Sequence, residues 1–263
     1  PVAYYPLGGS STGSASTLTV PNESVPSATV FDFTPSDYID CGTALGDNLE
    51  SVTNLTVSLW FKAPSTAIND FVFYIGDFSN SYGALSFHIT NNRLFIRLNN
   101  DGGRFFLNPF TPTDWNNIVF TYDGSNQSNS VLYVNGQDQS ATFSGSFPSS
   151  LNLSGLKTII GAGYSSSYAF DGEVSNVQTW NTGLSAPEVT TLYNNGVPLL
   201  SGTQPQAANL RAWYPMNVEN ANWLGSDWQI ADAVSAYPQS FDFDGSSDSI
   251  SCDFTNTSNT GSI

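Results

Sequence analysis

The sequence predicts an all-β fold, an antiparallel sandwich closed by one short helix. Three observations carry this. Apolar residues recur at every second position in run after run, the runs are joined by Asn, Gly and Ser turns, and only one stretch carries a helix-start signature. The chain has 263 residues, of which 40% are hydrophobic and 14% aromatic, enough for a packed core and too much for a disordered chain.

In order along the chain, Leu55, Val57, Leu59 and Phe61 alternate with Thr56, Ser58 and Trp60, a strand with one face in a core. A strand is expected at residues 71–75. Leu85, Phe87 and Ile89 precede Asn91-Asn92, and Leu94, Ile96 and Leu98 follow, which makes a hairpin because Asn tolerates positive φ. Ile118, Phe120 and Tyr122 lead into Asp123-Gly124, and residues 131–134 lead into Asn135-Gly136. Further strands are expected at 157–161 and 172–180. Then Ser185-Ala186-Pro187-Glu188 forms a capping box, with Pro187 in the first turn, Leu184 and Val189 as a hydrophobic staple, and Asn195-Gly196 as the left-handed stop.

After the helix the pattern lapses over residues 197–209, which read as a linker, and then restarts. Ala3-Tyr4-Tyr5-Pro6-Leu7 returns as Ala212-Trp213-Tyr214-Pro215-Met216, Phe31-Asp32-Phe33 as Phe241-Asp242-Phe243, and Ile39-Asp40-Cys41 as Ile250-Ser251-Cys252. Three anchors in order at offsets of 209 to 211 residues are a repeat. The expected organisation is one domain over residues 1–196, a linker over 197–209, and the start of a second, incomplete copy over 210–263, excerpted from a longer tandem array. Equivalent places in two copies make a Cys41–Cys252 disulfide unexpected.

Acids outnumber bases 22 to 6, for a net charge of −16. The basic residues, Lys62, Arg93, Arg97, Arg104, Lys157 and Arg211, are scattered, so no nucleic-acid partner is expected. Nor is membrane insertion, since no apolar run approaches ~18 residues. The N-terminus shows no basic region or apolar run of a signal peptide.

The motifs Phe31-Asp32-Phe33 with Asp37-Tyr38-Ile39, residues 55–62 (LTVSLWFK), 115–124 (WNNIVFTYDG), 132–136 (LYVNG), Ile159-Ile160-Gly161, 170–174 (FDGEV) and Trp180-Asn181 stand in a fixed order. As a set they resemble the laminin G-like, concanavalin A-like lectin/glucanase jelly rolls. The resemblance covers residues 1–196 and begins again at 210. It implies an antiparallel jelly roll and leaves function open, since the family includes lectins, adhesion modules, glycosidases and structural domains. The tandem arrangement and acidity are similar in style to bacteriophage virion surface proteins, which implies an extracellular or virion-surface location.

The resemblance also directs attention to acids and rings. Glucanases of this superfamily set carboxylates at alternate positions of a strand, and the nearest matches are Asp171-x-Glu173, Asp242-x-Asp244 and Asp37-x-x-Asp40. Asp244 corresponds to Thr34 in the first copy, and Asp171 reads as a turn former, so no enzyme is expected. His88, the one histidine, alternates with Phe87 and Ile89 and is expected on the opposite, more exposed face. Calcium, held by many relatives, would draw on loop oxygens such as Asp101, Asp123 and Asp171, with Asp77 and Asn99 also in loops, though Asx turns explain these residues equally. Tyr82, Tyr164 and Tyr168 lie in Ser/Gly-rich loops, where rings either stack on a sugar or cover the ends of the sandwich.

Asp77, Tyr82, Asn99, Asp101, Tyr164 and Tyr168, with Asn100 and Arg104 beside them, are therefore the candidate ligand-binding residues. If their loops converge, they form a shallow acidic and aromatic platform suited to neutral sugars and hostile to polyanions. The expected function is a non-enzymatic adhesion or glycan-contacting module, a glycan or cell-surface polysaccharide being one partner and the proteins of a virion or surface assembly another. The alternatives are a structural decoration or filament-forming protein and a glycosidase-like enzyme or its accessory domain.

Overall fold

The computed structural model describes residues 31–33, 38–66, 68–77, 82–165, 168–199, 204–216, 221–223 and 228–230. Its strands are β1 (Phe31–Phe33), β2 (Ile39–Asp40), β3 (Asn54–Lys62), β4 (Asn69–Gly76), β5 (Leu85–Thr90), β6 (Arg93–Leu98), β7 (Gly103–Leu107), β8 (Asn116–Asp123), β9 (Val131–Val134), β10 (Gln137–Asp138), β11 (Thr142–Gly145), β12 (Lys157–Ile160), β13 (Gly172–Trp180), β14 (Leu210–Tyr214), β15 (Ala221–Trp223) and β16 (Trp228–Ile230). Two helices join them, α1 (Ala44–Asn48) and α2 (Ala186–Tyr193).

Two seven-stranded sheets form the sandwich. The first runs β1-β13-β3-β8-β9-β10 with β14 also on β13, and the second runs β11-β7-β6-β5-β4-β12-β2. All the strand pairs named here are antiparallel, as the alternation requires. The core between the sheets gathers the expected residues: Leu55, Val57, Leu59 and Phe61 from β3, Leu85, Phe87 and Ile89 from β5, Leu94, Ile96 and Leu98 from β6, and Ile118 and Phe120 from β8.

Local chemistry sets the turns. Asn91 and Asn92 hold φ of 48° and 61°, and Asn135 and Gly136 hold 52° and 75°, the double positive φ of a two-residue hairpin. The Ser185 amide and hydroxyl both donate to Glu188 Oε2, at 2.7 and 2.8 Å, and α2 stops at Asn194 in the left-handed region.

The outer faces of the two sheets differ. Thr56, Ser58 and Trp60, on the face turned away from the core, are also buried, because α2 and the following chain cover the outside of the first sheet. Val189, Leu192, Leu210 and Trp213 pack there against Val119, Tyr133 and Trp180, and Tyr193 stacks on Trp60 at 5.8 Å. The stretch read as a linker takes part, with Gln204 buried and the Pro205 carbonyl accepting from Trp180 Nε1 at 2.9 Å. Next comes β14, which the repeat assigns to the second copy and which pairs with β13 from Val177 to Trp180. Cys41 follows β2, its amide donating to the Thr158 carbonyl at 2.9 Å, while Cys252 and the other returning motifs within residues 231–263 lie outside the described residues.

Candidate functional site

The outside of the second sheet is built differently. Register places side chains in two rows across β4, β5, β6, β7 and β11: Phe71, His88, Phe95, Phe106 and Thr142 in one, Tyr74, Ser86, Arg97, Arg104 and Ser144 in the next. Period two that buries Phe87 and Ile96 inward turns these residues outward.

Loops then fold over this face. Asn99, Asn100 and Asp101 all take positive φ in the β6–β7 turn. From there the Asn99 and Asn100 amides donate to the Ala84 and Gly83 carbonyls at 3.0 and 2.6 Å, while Asn100 Oδ1 accepts from the Tyr82 amide at 3.0 Å. Tyr82 is thereby tied beside Phe71, with ring centroids 6.2 Å apart. The loop after β12 arrives from the other side. Tyr164 and Tyr168 stand edge-on to Phe71 at 6.2 and 6.1 Å, and 5.0 Å from each other. Gly163 allows this approach, since a Cβ there would lie 2.5 Å from the Phe71 ring. Three tyrosines distant in sequence thus converge on one phenylalanine, each half-buried with part of its surface in solvent.

Behind Tyr82 lies a polar chain. Arg97 is 6% exposed and lies under the Tyr82 ring, 4.2 Å from its centroid, and against Phe95 at 4.6 Å. Its Nε donates to His88 Nδ1 at 3.1 Å and its Nη1 to Asp101 Oδ1 at 2.5 Å. The other Asp101 oxygen accepts from Arg104 Nη1 at 2.6 Å. His88 stacks on Phe71 at 4.4 Å, and its Nε2 meets Asn69 Oδ1 at 2.9 Å. The expectation of an exposed His88 is corrected here. It does face outward, but at 4% exposure it lies beneath the Tyr82 loop. Burial, reinforced by the Arg97 charge, lowers its pKa to about 3, so the ring is neutral.

Of the six residues expected to bind ligand, Tyr82, Asn99, Asp101, Tyr164 and Tyr168 meet on or beside this face. Asp77 lies exposed at the end of β4, where its carbonyl accepts from Tyr74 Oη at 2.6 Å. Asp101, Asp123 and Asp171 are not brought together. Asp101 is held by two guanidinium groups, Asp123 by the Ser125 and Asn129 side chains at the end of β8, and Asp171 precedes β13 beside Asp70. Among the described residues no three His, Cys, Asp or Glu side chains gather as a metal centre, so these acids as placed do not fit a calcium ion. Desolvation, with Asp171 nearby, raises the pKa of Asp70, and Glu173 forms an ion pair with Lys62 at 3.3 Å.

Sequence reading missed Arg93, Phe95, Arg97 and Phe106. Residues 93, 95 and 97 alternate with the core residues Leu94, Ile96 and Leu98, which was enough to place them on one outer face.

Comparison with known proteins agrees with the fold. The model of the concanavalin A-like lectin/glucanases superfamily matches residues 33–190, more than half of the chain. No curated protein matches. Among solved structures, a proposed carbohydrate binding protein from Bacteroides ovatus superposes with a TM-score of 0.52 at 15% identity, covering 74% of this chain and 52% of its own. A heptameric SAP-like pentraxin from Limulus polyphemus gives 0.47 at 15% identity, over 76% and 94%. The NanB sialidase from Streptococcus pneumoniae gives 0.45 at 20%, over 62% and 27%. The chain therefore spans about half the length of the first of these and about a quarter of the last. The likeness to the first of these is one of fold. From the extent of the family match, the chain belongs to the concanavalin A-like lectin/glucanases superfamily.

Proposed function

We propose that this chain is a non-catalytic module that contacts glycans through the outer face of its second sheet. One observation carries the reading: Tyr82, Tyr164 and Tyr168, each half-buried, converge around Phe71. Sugar rings present C–H faces that pack on aromatic rings, and Asn and Asp in the adjoining turn offer hydrogen-bond partners for hydroxyls. Among the described residues the other sheet shows no such face, because α2 and the chain that follows it cover it. Glu173 pairs with Lys62 on β13 of the first sheet, away from the tyrosine-bearing face, which supports a structural rather than a hydrolytic role for it. The recurrence of the opening motif supports a place in a tandem-repeat protein on an extracellular or virion surface, where several weak sites act together.

A glycan array probed with the full chain and with a Tyr82→Ala/Tyr164→Ala/Tyr168→Ala variant tests this, with far-ultraviolet circular dichroism to verify folding. Wild type should bind in the presence of chelator, and the folded variant should lose the signal. No binding by the wild type, or equal binding by both, would contradict the reading.

A second reading, a structural module that binds protein copies, is favoured by β14. A strand from the opening of one repeat that completes the sheet of another is itself a strand-addition contact.

A further inference from the structure

Charge is unevenly distributed over this molecule. The chain carries six Lys and Arg against 22 Asp and Glu, yet Arg93, Arg97 and Arg104 line a single groove. It runs beside Tyr82, has a volume of about 570 Å³, and has Phe95 and Phe106 in its floor. Those two rings stack on each other at 5.7 Å and 29°, with Phe95 buried and Phe106 half-buried. Thr142 and Ser144 place exposed hydroxyl-bearing residues along the β11 side. Asp101 is the only carboxylate of the ion-pair network and is shared between Arg97 and Arg104. Among the described residues Arg93 forms no ion pair, and it is exposed.

The groove is therefore locally cationic on a strongly anionic protein. At physiological salt, charges beyond about 8 Å are largely screened, so a bound ligand responds to these arginines more than to the net charge of −16. This reverses the acidic platform expected from sequence. Resting on the glycan reading above, we propose that the groove selects a carboxylate-bearing sugar, a hexuronic acid residue. Its ring packs against Phe106, its carboxylate meets the guanidinium group of Arg104, and Arg93 adds positive charge at the other end of the groove. Planar guanidinium matches planar carboxylate with paired N–H donors, while the β11 hydroxyls reach the ring hydroxyls. Arg97 is a positioning residue, since its donors are already engaged by His88 and Asp101.

Calorimetric titration of the full chain with trigalacturonic acid and with its fully methyl-esterified form tests this. The two probes share ring, linkage and hydroxyls and differ in charge. The acid should bind about tenfold more tightly or better, and added salt should weaken it. Arg93→Gln/Arg104→Gln should abolish that preference, bringing the affinity for the acid down to that for the ester. Equal affinity for acid and ester, or an unchanged preference in the variant, would overturn the acidic-sugar assignment without touching the glycan reading. Binding of neutral array glycans alone, lost on tyrosine substitution, would likewise overturn this inference and leave that reading standing.

Discussion

Arg97 Nε donates to His88 Nδ1 at 3.1 Å, and that bond sets the tautomer of the imidazole. With Nδ1 accepting, the proton resides on Nε2, which donates to Asn69 Oδ1 at 2.9 Å. The histidine is thus a neutral link between β4 and β6, holding the guanidinium that lies under Tyr82.

This makes stability depend on pH. The unfolded imidazole protonates near 6.5 and the folded one near 3, so between these values the unfolded state binds more protons. Stability is complete above pH 6.5 and falls as pH drops below it, by up to about 1.4 kcal/mol per pH unit. Urea unfolding at pH 7 and pH 5, a window above the ordinary carboxylate range, should show this loss in the wild type and a flatter profile in His88→Gln. A wild-type profile as flat as that of the variant would contradict it.

Asp101→Asn should destabilise the fold by about 3 kcal/mol, because it removes the charge that separates two guanidinium groups, one of them buried. Arg97 and Arg104 are direct cross-strand partners, so like charges would then face each other. A change below about 1 kcal/mol in the denaturation midpoint analysis would show that the network is dispensable.

Trp213→Ala should destabilise the sandwich by about 3 kcal/mol or more. The indole is 6% exposed in the layer over the first sheet, and its Nε1 donates to Asn176 Oδ1 at 2.7 Å. Asn176 forms the bulge in β13 and is also bonded to Gln178 and the Leu199 carbonyl. Unchanged unfolding of the full chain would mean that β14 adds nothing to the domain it pairs with.

Gly163→Ala should weaken glycan binding more than it weakens the fold. The added Cβ would meet the Phe71 ring at 2.5 Å, so the loop must lift and carry Tyr164 and Tyr168 away. Overpacking of this kind costs about 1–3 kcal/mol in a core and less in a loop that can yield. Array binding equal to wild type would show that the tyrosines need no precise seat.

Much of the fold was legible because its signals are local. The Ser185 to Glu188 box, the Asn91-Asn92 turn and the run 172–180 each encode an element within a few residues, and each appears where expected. The burial of Thr56, Ser58 and Trp60 was not legible, since the cover over them comes from residues more than 120 positions away. The site divides in the same way. Loop tyrosines stand out by composition, but their meeting at Phe71 depends on Asn100 holding Tyr82 and on Gly163 admitting Tyr164. His88 was misjudged because alternation reports which face a residue occupies and says nothing of what a loop lays over that face.

The most direct measurement is amide chemical-shift mapping of the isotope-labelled full chain during titration with trigalacturonic acid. The largest perturbations should fall at Tyr82, Phe95, Arg97, Arg104, Phe106 and Tyr168, with α2 and β14 unaffected. Perturbations centred on α2, β14 or the ends of the first sheet, with the Tyr82 region silent, would contradict the assignment of the second sheet's outer face as the ligand surface.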